Sequence, residues 1–428
     1  MQTQVPRAAR TALWLLLTVN LFNYIDRYVL SSVEPEIRAH FFAANDPHAH
    51  ALTGVLGTAF LVSYMLSAPV FGWLADRISR WLLISISVVL WSCATVGCGL
   101  AASFAWLFAL RLLVGIGEGG YGPAAPTIIS DYYPLEVRGR KLAYFYVAIP
   151  VGVALGYAIG GFVASHWGWQ TAFFVVGPPG LLLAAICYLQ RDPREKVGHA
   201  SPRQRATWRT YRMTVRTIMK IKSYFWNTAA MTALTFAMGG LSYWIPGYLQ
   251  YRGLPPSSRI IFGAMIVGGG LTATLLGGWT GDLLRKRFSG AYFLVSGIGA
   301  MIAFPFAAGI VLAPFPLAWV FMFIAVFFLF FNTGPANTAL ANVTHPSVRA
   351  TAFALNILII HALGDAIAPP LIGAVADWTN MNIAFLVVTG MMLVAGLLWL
   401  IGMKYLASDT QAIASQTSEQ PVPENVLL

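Results

Sequence analysis

A few ionisable side chains stand inside long apolar runs of this sequence, where a charge is costly unless it has a partner. Asp26 and Arg27 are adjacent near the end of a run that begins at Thr11. Arg111 and Glu118 lie seven residues apart in another run, which is two helical turns along one face. Carboxylates in an apolar cavity can exchange protons, and arginines bind anions such as phosphate groups. The residue types therefore predict proton handling beside an anion-binding site.

The elements that carry these charges are predicted to be membrane-spanning helices. The chain is 57% hydrophobic and 10% charged, with a mean hydropathy of +0.67, whereas soluble domains carry about 25% charged residues. Twelve continuous apolar runs of roughly 20 residues recur along it, each long enough to cross a bilayer as a helix. The first run is too long for a signal peptide, and no clear small-residue cleavage site follows it. We therefore predict an all-α membrane protein with twelve transmembrane helices.

The basic residues indicate the topology of these helices. Most of the 27 Lys and Arg residues fall in segments on one side of the membrane, while Arg38, Arg252 and Arg259 fall in segments on the other. This positive-inside bias predicts that both termini are cytoplasmic. Membrane topology therefore explains the net charge of +11, and we predict no nucleic-acid partner.

One long polar stretch, residues 191–222, divides the runs six to six. It predicts an N-terminal six-helix bundle over 1–190, a cytoplasmic basic linker, a C-terminal six-helix bundle over 223–408 and a disordered cytoplasmic tail over 409–428. Basic residues recur at helical spacing in the second half of the linker: Arg205, Arg209, Arg212, Arg216 and Lys220. They fit an amphipathic helix on anionic lipid headgroups and a solvated basic loop equally well.

Two loop motifs recur in the second half of the chain, which indicates duplication. Gly72, Asp76 and Arg80 match Gly278, Asp282 and Lys286 at an offset of 206 residues. Gly122, Pro123 and Pro134 match Gly334, Pro335 and Pro346 at an offset of 212 residues. Both matches lie in equivalent loops of a six-plus-six arrangement.

The first of these motifs resembles the signature G-x-x-x-D-R-x-G-R of the major facilitator superfamily. The stretch "GWLADRISR" has Ser79 in place of the glycine before the last arginine. The resemblance implies two pseudo-symmetric six-helix bundles with a cleft between them and transport by alternating access. It also implies a conformational gate made by Asp76, Arg77, Arg80 and Asp282.

Longer stretches are similar to the Spinster family of lysolipid and sphingolipid transporters. They are "NYIDRYVLSSVEPEI", "SAPVFGWLADRISR", "RLLVGIGEGGYGPAAPTIISDYYP" and "YFYVAIPVGVALGY", all in the first half. This resemblance implies proton-coupled export or flipping of a lysophospholipid or of a lipid like sphingosine-1-phosphate. The short termini are typical of a bacterial member, in which the protein would lie in the plasma (inner) membrane.

Depth in the bilayer predicts which of the charges meet. Asp26 lies about 22 Å above the start of the first run, and Arg111 about 10 Å below the other surface, at 1.5 Å per residue. In a core of about 30 Å these depths nearly coincide. Helices 1, 4, 7 and 10 line the cavity in the superfamily that the chain resembles. We therefore expect Asp26 and Glu118 to couple protons and Arg27 and Arg111 to bind the lipid headgroup, the alternative being an ion-pair network that only holds two helices together.

Other residues give weaker predictions. His361 and Asp365, one helical turn apart, form either a proton relay or a buried hydrogen-bonded pair. Candidates for an apolar cavity lining are Tyr146, Tyr157, Phe236, Tyr243, Trp244, Phe331 and Asn332, although packing or an interfacial belt would also explain them. Glycines at four-residue spacing, Gly152, Gly156 and Gly160, predict close helix packing.

The predicted partners are an amphiphilic lipid, protons and membrane lipids, and the predicted state is a monomer. The sequence has no nucleophile elbow, metal-ligand cluster or phosphate loop, so we predict no enzymatic activity, cofactor or metal. The alternatives are a facilitator of small organic anions or drugs and a passive channel or receptor. Arginines inside the predicted spans occur only in the first half, which favours an amphiphile with one charged end.

Overall fold

The computed structural model describes residues 7–75, 77–133, 135–193, 208–345 and 348–418, and these ranges contain helices and no strand. The helices of the first part are α1 (Arg7–Phe41), α2 (Ala49–Ala75), α3 (Arg80–Gly99), α4 (Phe104–Gly119), α5 (Tyr121–Tyr132), α6 (Leu135–Trp167), α7 (Trp169–Tyr188) and α8 (Trp208–Lys220). Those of the second part are α9 (Lys222–Tyr251), α10 (Ser258–Met265), α11 (Leu271–Arg285), α12 (Ala291–Leu312), α13 (Leu317–Phe331), α14 (Thr333–Asn342), α15 (Arg349–Ile360), α16 (Ala368–Trp378) and α17 (Met381–Ser418). Two π-helical turns, Ile266–Gly270 and His361–Asp365, join α10 to α11 and α15 to α16.

The predicted fold class, an all-α membrane protein with twelve spans, is confirmed. Within the described ranges, nine helical stretches are long and apolar enough to cross a membrane. The other three spans are α1, the broken pair α4–α5, and α9. Charges and asparagines lower the hydropathy of α1, a break at Gly120 shortens α4, and hydroxyl and aromatic residues make α9 less apolar.

Packing divides the chain into two compact units that differ from the halves predicted from the linker. The first unit comprises Met1–Arg203, Gly240–Val267 and Ala366–Ala384, and the second comprises Gln204–Gly239, Gly268–Asp365 and Phe385–Leu428. The difference arises because α10 packs against α6 and α16 packs against α2. Two of the five divisions fall at the π-helical turns, where regular α-helical hydrogen bonding is interrupted. The others fall between Gly239 and Gly240 in α9, between Ala384 and Phe385 in α17, and between residues 203 and 204.

The glycine ladder of α6 makes the close helix contact that its spacing predicts, and the partner helix is α1. A Cβ atom added to Gly152 would lie 2.6 Å from the Cβ of Tyr24, and one added to Gly156 would lie 2.8 Å from the carbonyl oxygen of Ile25. Gly160 meets Ser32 in the same way. Small residues therefore let α6 approach the helix that carries Asp26 and Arg27.

Gly117→Ala is expected to lower the free energy of unfolding by about 1–3 kcal/mol, since overpacking a buried contact forces the neighbours apart. A Cβ at this position of α4 would lie 2.7 Å from the main-chain nitrogen of Trp91, which cannot rotate away. Gly390→Ala in α17 is the control, because a Cβ there meets nothing within 4 Å. Denaturant unfolding of both variants in detergent tests this expectation, and equal stability of the two would contradict it.

The end of the chain differs from the predicted disorder, because α17 continues beyond residue 409 to Ser418. Asp409 accepts hydrogen bonds from the main-chain nitrogen and the hydroxyl of Ser223, at 2.8 and 2.5 Å. These bonds fasten the helix to the first turn of α9. Residues 419–428 lie outside the described ranges.

Candidate functional site

An ion pair joins the two helices that carry the membrane charges. The Nε of Arg27 on α1 lies 2.7 Å from Oε2 of Glu118 on α4. The Glu118 side chain is fully buried, and that of Arg27 is 19% exposed. The structure thus brings together the two helices whose charges were matched by depth. Their pairing neutralises a carboxylate that would be very costly to bury alone.

Aromatic rings surround the Arg27 guanidinium and connect it to Arg111. The guanidinium carbon of Arg27 lies 5.0 Å from the ring centre of Tyr24, 4.8 Å from that of Phe60 and 4.9 Å from that of Tyr64. The guanidinium carbon of Arg111 lies 5.1 Å from the same Phe60 ring. Both arginines are therefore held beside one ring by cation–π attraction, which concentrates positive charge in a small volume.

Asp26 has a different partner. It is 2% exposed, and its Oδ2 accepts a hydrogen bond of 2.5 Å from the hydroxyl of Thr95 on α3. The charges of Arg111 and Arg27 also act on this carboxyl group. Sequence reasoning missed Thr95, because a threonine in an apolar helix carries no signal that distinguishes it from a packing residue.

Several buried polar atoms of this cluster have unused hydrogen-bonding capacity. Within the described part of the chain, the Nε and Nη1 atoms of Arg111, Oδ1 of Asp26 and Oε1 of Glu118 have no hydrogen-bond partner. Arg111 is 1% exposed, and buried polar groups in proteins are nearly always hydrogen-bonded. Two carboxylates and two guanidinium groups are the groups that can exchange a proton and bind an anionic group.

The predicted relay residues lie in the second unit. Nδ1 of His361 is 3.0 Å from both carboxyl oxygens of Asp365, across one π-helical turn. Their side chains are 35% and 19% exposed, respectively. The geometry is that of a hydrogen-bonded pair, and the relay role stays a prediction.

The predicted gate residues have these neighbours in the structure. Arg80 is buried and lies 2.6 Å from both Asp131 and Asp192 of its own unit, two acids that sequence reasoning missed. The guanidinium carbon of Arg77 lies 3.8 Å from the ring centre of Trp73, its neighbour on the preceding turn. Asp282 accepts a hydrogen bond from Tyr292, at 2.8 Å. Asp76 lies outside the described residues, and the gate role stays a prediction.

The predicted cavity residues separate into two groups. Tyr157, Tyr243, Trp244 and Asn332 are buried, and each donates a hydrogen bond to a main-chain carbonyl oxygen. These bonds satisfy one polar atom of each side chain. Tyr146 is 47% exposed, and Phe236 and Phe331 are half-buried. The cavity role stays a prediction for all seven residues.

A second charged cluster at the end of α1 was not predicted. The apolar run was placed at 11–33, but α1 continues to Phe41 and carries Glu34 and Glu36 with it. Oε1 of Glu34 accepts hydrogen bonds from Nε of Arg38, at 3.0 Å, and from the hydroxyl of Thr53, at 2.8 Å. Glu36 lies 2.7 Å from Arg259, which is 1% exposed although the sequence placed it in a segment outside the spans.

An aspartate of α16 caps the start of α2, also without a sequence signal. Asp377 accepts hydrogen bonds from the main-chain nitrogens of His50 and Ala51, at 3.1 and 2.9 Å. Its Oδ1 also lies 2.6 Å from Nδ1 of His50. The carboxylate therefore bonds main-chain amides that have no partner within the helix, and it fastens α16 to α2.

Asp377→Ala is expected to lower the free energy of unfolding by about 1–2 kcal/mol, which is the upper part of the range for a lost N-cap. Asp46→Ala is the matched control, since Asp46 accepts a bond from the exposed amide of His48 within one loop. In thermal unfolding of the purified chain, the melting temperature should decrease more for Asp377→Ala than for Asp46→Ala. The reverse order would contradict a fastening role for Asp377.

Comparisons with known proteins identify the family of this chain. Residues 16–369 match the family model of the Major Facilitator Superfamily. The chain is 34% identical to the Drosophila melanogaster protein spinster over 390 residues, covering 88% of this chain and 63% of that protein. It is also 34% identical to the sphingosine-1-phosphate transporter SPNS2 of Xenopus tropicalis, covering 87% of this chain and 74% of that one.

A solved structure supports the fold. A bacterial homologue of the human lysosomal transporter Spinster, in an inward-facing and unoccupied conformation, superimposes with a TM-score of 0.77. The comparison covers 96% of this chain and 98% of that one, at 24% sequence identity. The family model, the relatives and the twelve-helix fold lead to one conclusion. The chain belongs to the major facilitator superfamily and, within it, to the Spinster family.

Proposed function

We propose that this chain is a proton-coupled secondary active transporter that moves a lysophospholipid or a lipid like sphingosine-1-phosphate across the membrane by alternating access. The observation that carries the proposal is the buried cluster of Asp26, Arg27, Arg111 and Glu118 in a member of the Spinster family. A transporter of this kind needs a proton acceptor and an anion site within reach of each other, and the cluster has the groups for both.

Protonation and headgroup binding are coupled in this proposal through the Arg27–Glu118 pair. While Glu118 is ionised, it occupies Nε of Arg27 at 2.7 Å. A proton on Glu118 weakens this charge-assisted bond, so the guanidinium becomes available to a phosphate oxygen. Arg111, whose Nε and Nη1 have no partner among the described residues, completes the anion site. Asp26 is the second carboxyl that takes part in the proton exchange.

The lipid identity is supported by two independent features. One is the family, which includes a protein named as a sphingosine-1-phosphate transporter. The other is the position of the cluster arginines, which both lie in the first unit beside aromatic rings. An amphiphile with a single anionic headgroup requires such a one-sided site and an apolar surface for its chain.

The proposal also includes the setting of the protein. The positive-inside bias supports cytoplasmic termini, and the plasma (inner) membrane follows if the source is bacterial. We propose a monomer as the working unit. We propose no enzymatic role.

Uptake of labelled lysophospholipid and sphingosine-1-phosphate into proteoliposomes, with and without an imposed pH gradient, tests the proposal. We expect accumulation of one of these lipids that depends on the gradient. Uptake that ignores the gradient would keep the lipid assignment and remove proton coupling. Absence of lipid flux in folded protein, together with flux of a small organic anion, would replace the lipid by that anion.

A further inference from the structure

Helix α8 presents a basic face to solvent at the point where the second unit enters the membrane. Arg212, Arg216 and Lys220 are exposed and lie four residues apart, so they form one stripe along the helix. We call these three residues the basic face. Ile218 on the opposite side is 1% exposed, and α8 packs against α15. The orientation of α8 on its own unit is therefore fixed by packing, with the cations directed outward.

The surroundings of the basic face add positive charge and little negative charge. Lys222 and Lys404 are exposed, and their Nζ atoms each lie 5.0 Å from the ring centre of Tyr405. The sequence has no Asp or Glu between residues 196 and 281. Asp409 reaches this region and accepts two hydrogen bonds from Ser223, which leave its single negative charge in place. One such carboxylate does not balance five cations, so the region stays basic.

The connection to α9 identifies the partner. Only Ile221 separates the end of α8 at Lys220 from the start of the membrane-spanning helix α9 at Lys222. Consecutive Cα atoms are about 3.8 Å apart, so the two steps from Lys220 to Lys222 place the end of α8 within about 7 Å of a span that starts at the membrane surface. Anionic lipids attract basic side chains within about 8 Å at physiological ionic strength, and among the described residues these cations form no ion pair with an acid.

We propose that the basic face, together with Lys222 and Lys404, binds anionic phospholipid headgroups of the leaflet at which α9 begins. Met213, which is 63% exposed and flanks the stripe, then reaches toward the acyl boundary. The contact is a property of the second unit and does not depend on which substrate is transported. The strength with which α8 is bound to the membrane surface then depends on the fraction of anionic lipid in that leaflet.

A fluorescent label at Met213→Cys tests the contact in the full-length chain, with Cys93, Cys98 and Cys187 replaced by alanine. The labelled protein is placed in nanodiscs of phosphatidylcholine alone or with added phosphatidylglycerol. Acrylamide is the quencher, because a neutral quencher is not itself repelled by membrane charge. We expect phosphatidylglycerol to shift the emission to the blue and to remove most of the quenching, and we expect high salt to reverse both changes.

Two matched variants separate lipid electrostatics from other causes. Arg212→Gln, Arg216→Gln and Lys220→Gln together should remove most of the phosphatidylglycerol effect, since Lys222 and Lys404 remain, without changing the melting temperature, since all three side chains are exposed. Arg212→Lys, Arg216→Lys and Lys220→Arg together should preserve it, because headgroup attraction depends on charge. Equal quenching in both nanodiscs at low salt would overturn the proposal. Shielding that persists in the glutamine variant would assign the contact to protein instead.

Discussion

Asp26→Asn is expected to abolish substrate accumulation driven by a pH gradient while leaving substrate exchange without a gradient. Asparagine cannot carry a proton at this position, but its amide oxygen can still accept the hydrogen bond from Thr95, so the local packing is preserved. Gradient-driven uptake and counterflow in the same proteoliposomes would measure the two activities separately. The variant should therefore lose coupling rather than binding.

Asp46→Asn is the matched control for this substitution. Asp46 lies in the loop between α1 and α2, outside the charged cluster and the predicted gate, and accepts a hydrogen bond from the main-chain nitrogen of His48, which asparagine can also accept. Loss of one negative charge there should leave accumulation close to that of the unmodified protein. Full accumulation by Asp26→Asn would remove Asp26 from coupling, and Glu118→Gln would then become the decisive variant, since Glu118 is the other carboxyl of the cluster.

The helices and the meeting of charged residues on α1 and α4 were predictable because charges in an apolar helix have few acceptable positions. The depth argument matched Asp26 with Arg111, whereas the ion pair in the structure joins Arg27 to Glu118. Arg27 and Glu118 had to find partners or water, and helix rise alone placed α1 and α4 charges at similar depth. The glycine ladder predicted a close helix contact for the same kind of reason, since such packing requires small residues at regular spacing, but only the structure identifies α1 as the partner.

The remaining contacts depend on tertiary packing, which spacing along the chain does not reveal. Thr95, Asp192 and Asp377 are ordinary residues in sequence, and each becomes a partner only because a distant helix lies beside it. The sequence prediction ended α1 too early because hydropathy decreases at Glu34. In the fold, Arg38 pairs with that carboxylate and Thr53 donates a hydrogen bond to it. Hydropathy describes a residue in isolation and therefore ends a span too early where charges are paired.

The division into units has a similar cause. The sequence repeat and the polar linker predict a boundary at residues 191–222. Contacts also assign the second part of α9 and the whole of α10 and α16 to the first unit. The side chain of Asp365 packs directly on Gly239, in the middle of α9. Asp365 itself ends the π-helical turn that precedes α16. Such interruptions allow one membrane helix to contribute to two packing units, and no motif in the sequence identified them in advance.

Arg27→Gln is expected to destabilise the protein by about 3–5 kcal/mol, because it leaves the fully buried Glu118 carboxylate without its partner. The double variant Arg27→Gln, Glu118→Gln removes both charges and should recover most of this loss, since neutral amides can hydrogen-bond across the same gap. Denaturant unfolding of the two single variants and the double variant gives the coupling free energy of the pair. Equal stability of Arg27→Gln and the unmodified protein would mean that Glu118 is not ionised in the fold.

Transport by the double variant then separates a functional cluster from a structural one. If the pair only holds α1 to α4, a chain that recovers its stability should also recover uptake. If Arg27 binds the headgroup and Glu118 exchanges the proton, the stable double variant should accumulate no lipid under a pH gradient. The same protein, folded and inactive, would show that the charges are retained in the membrane for transport, because neutral residues would satisfy the packing equally well.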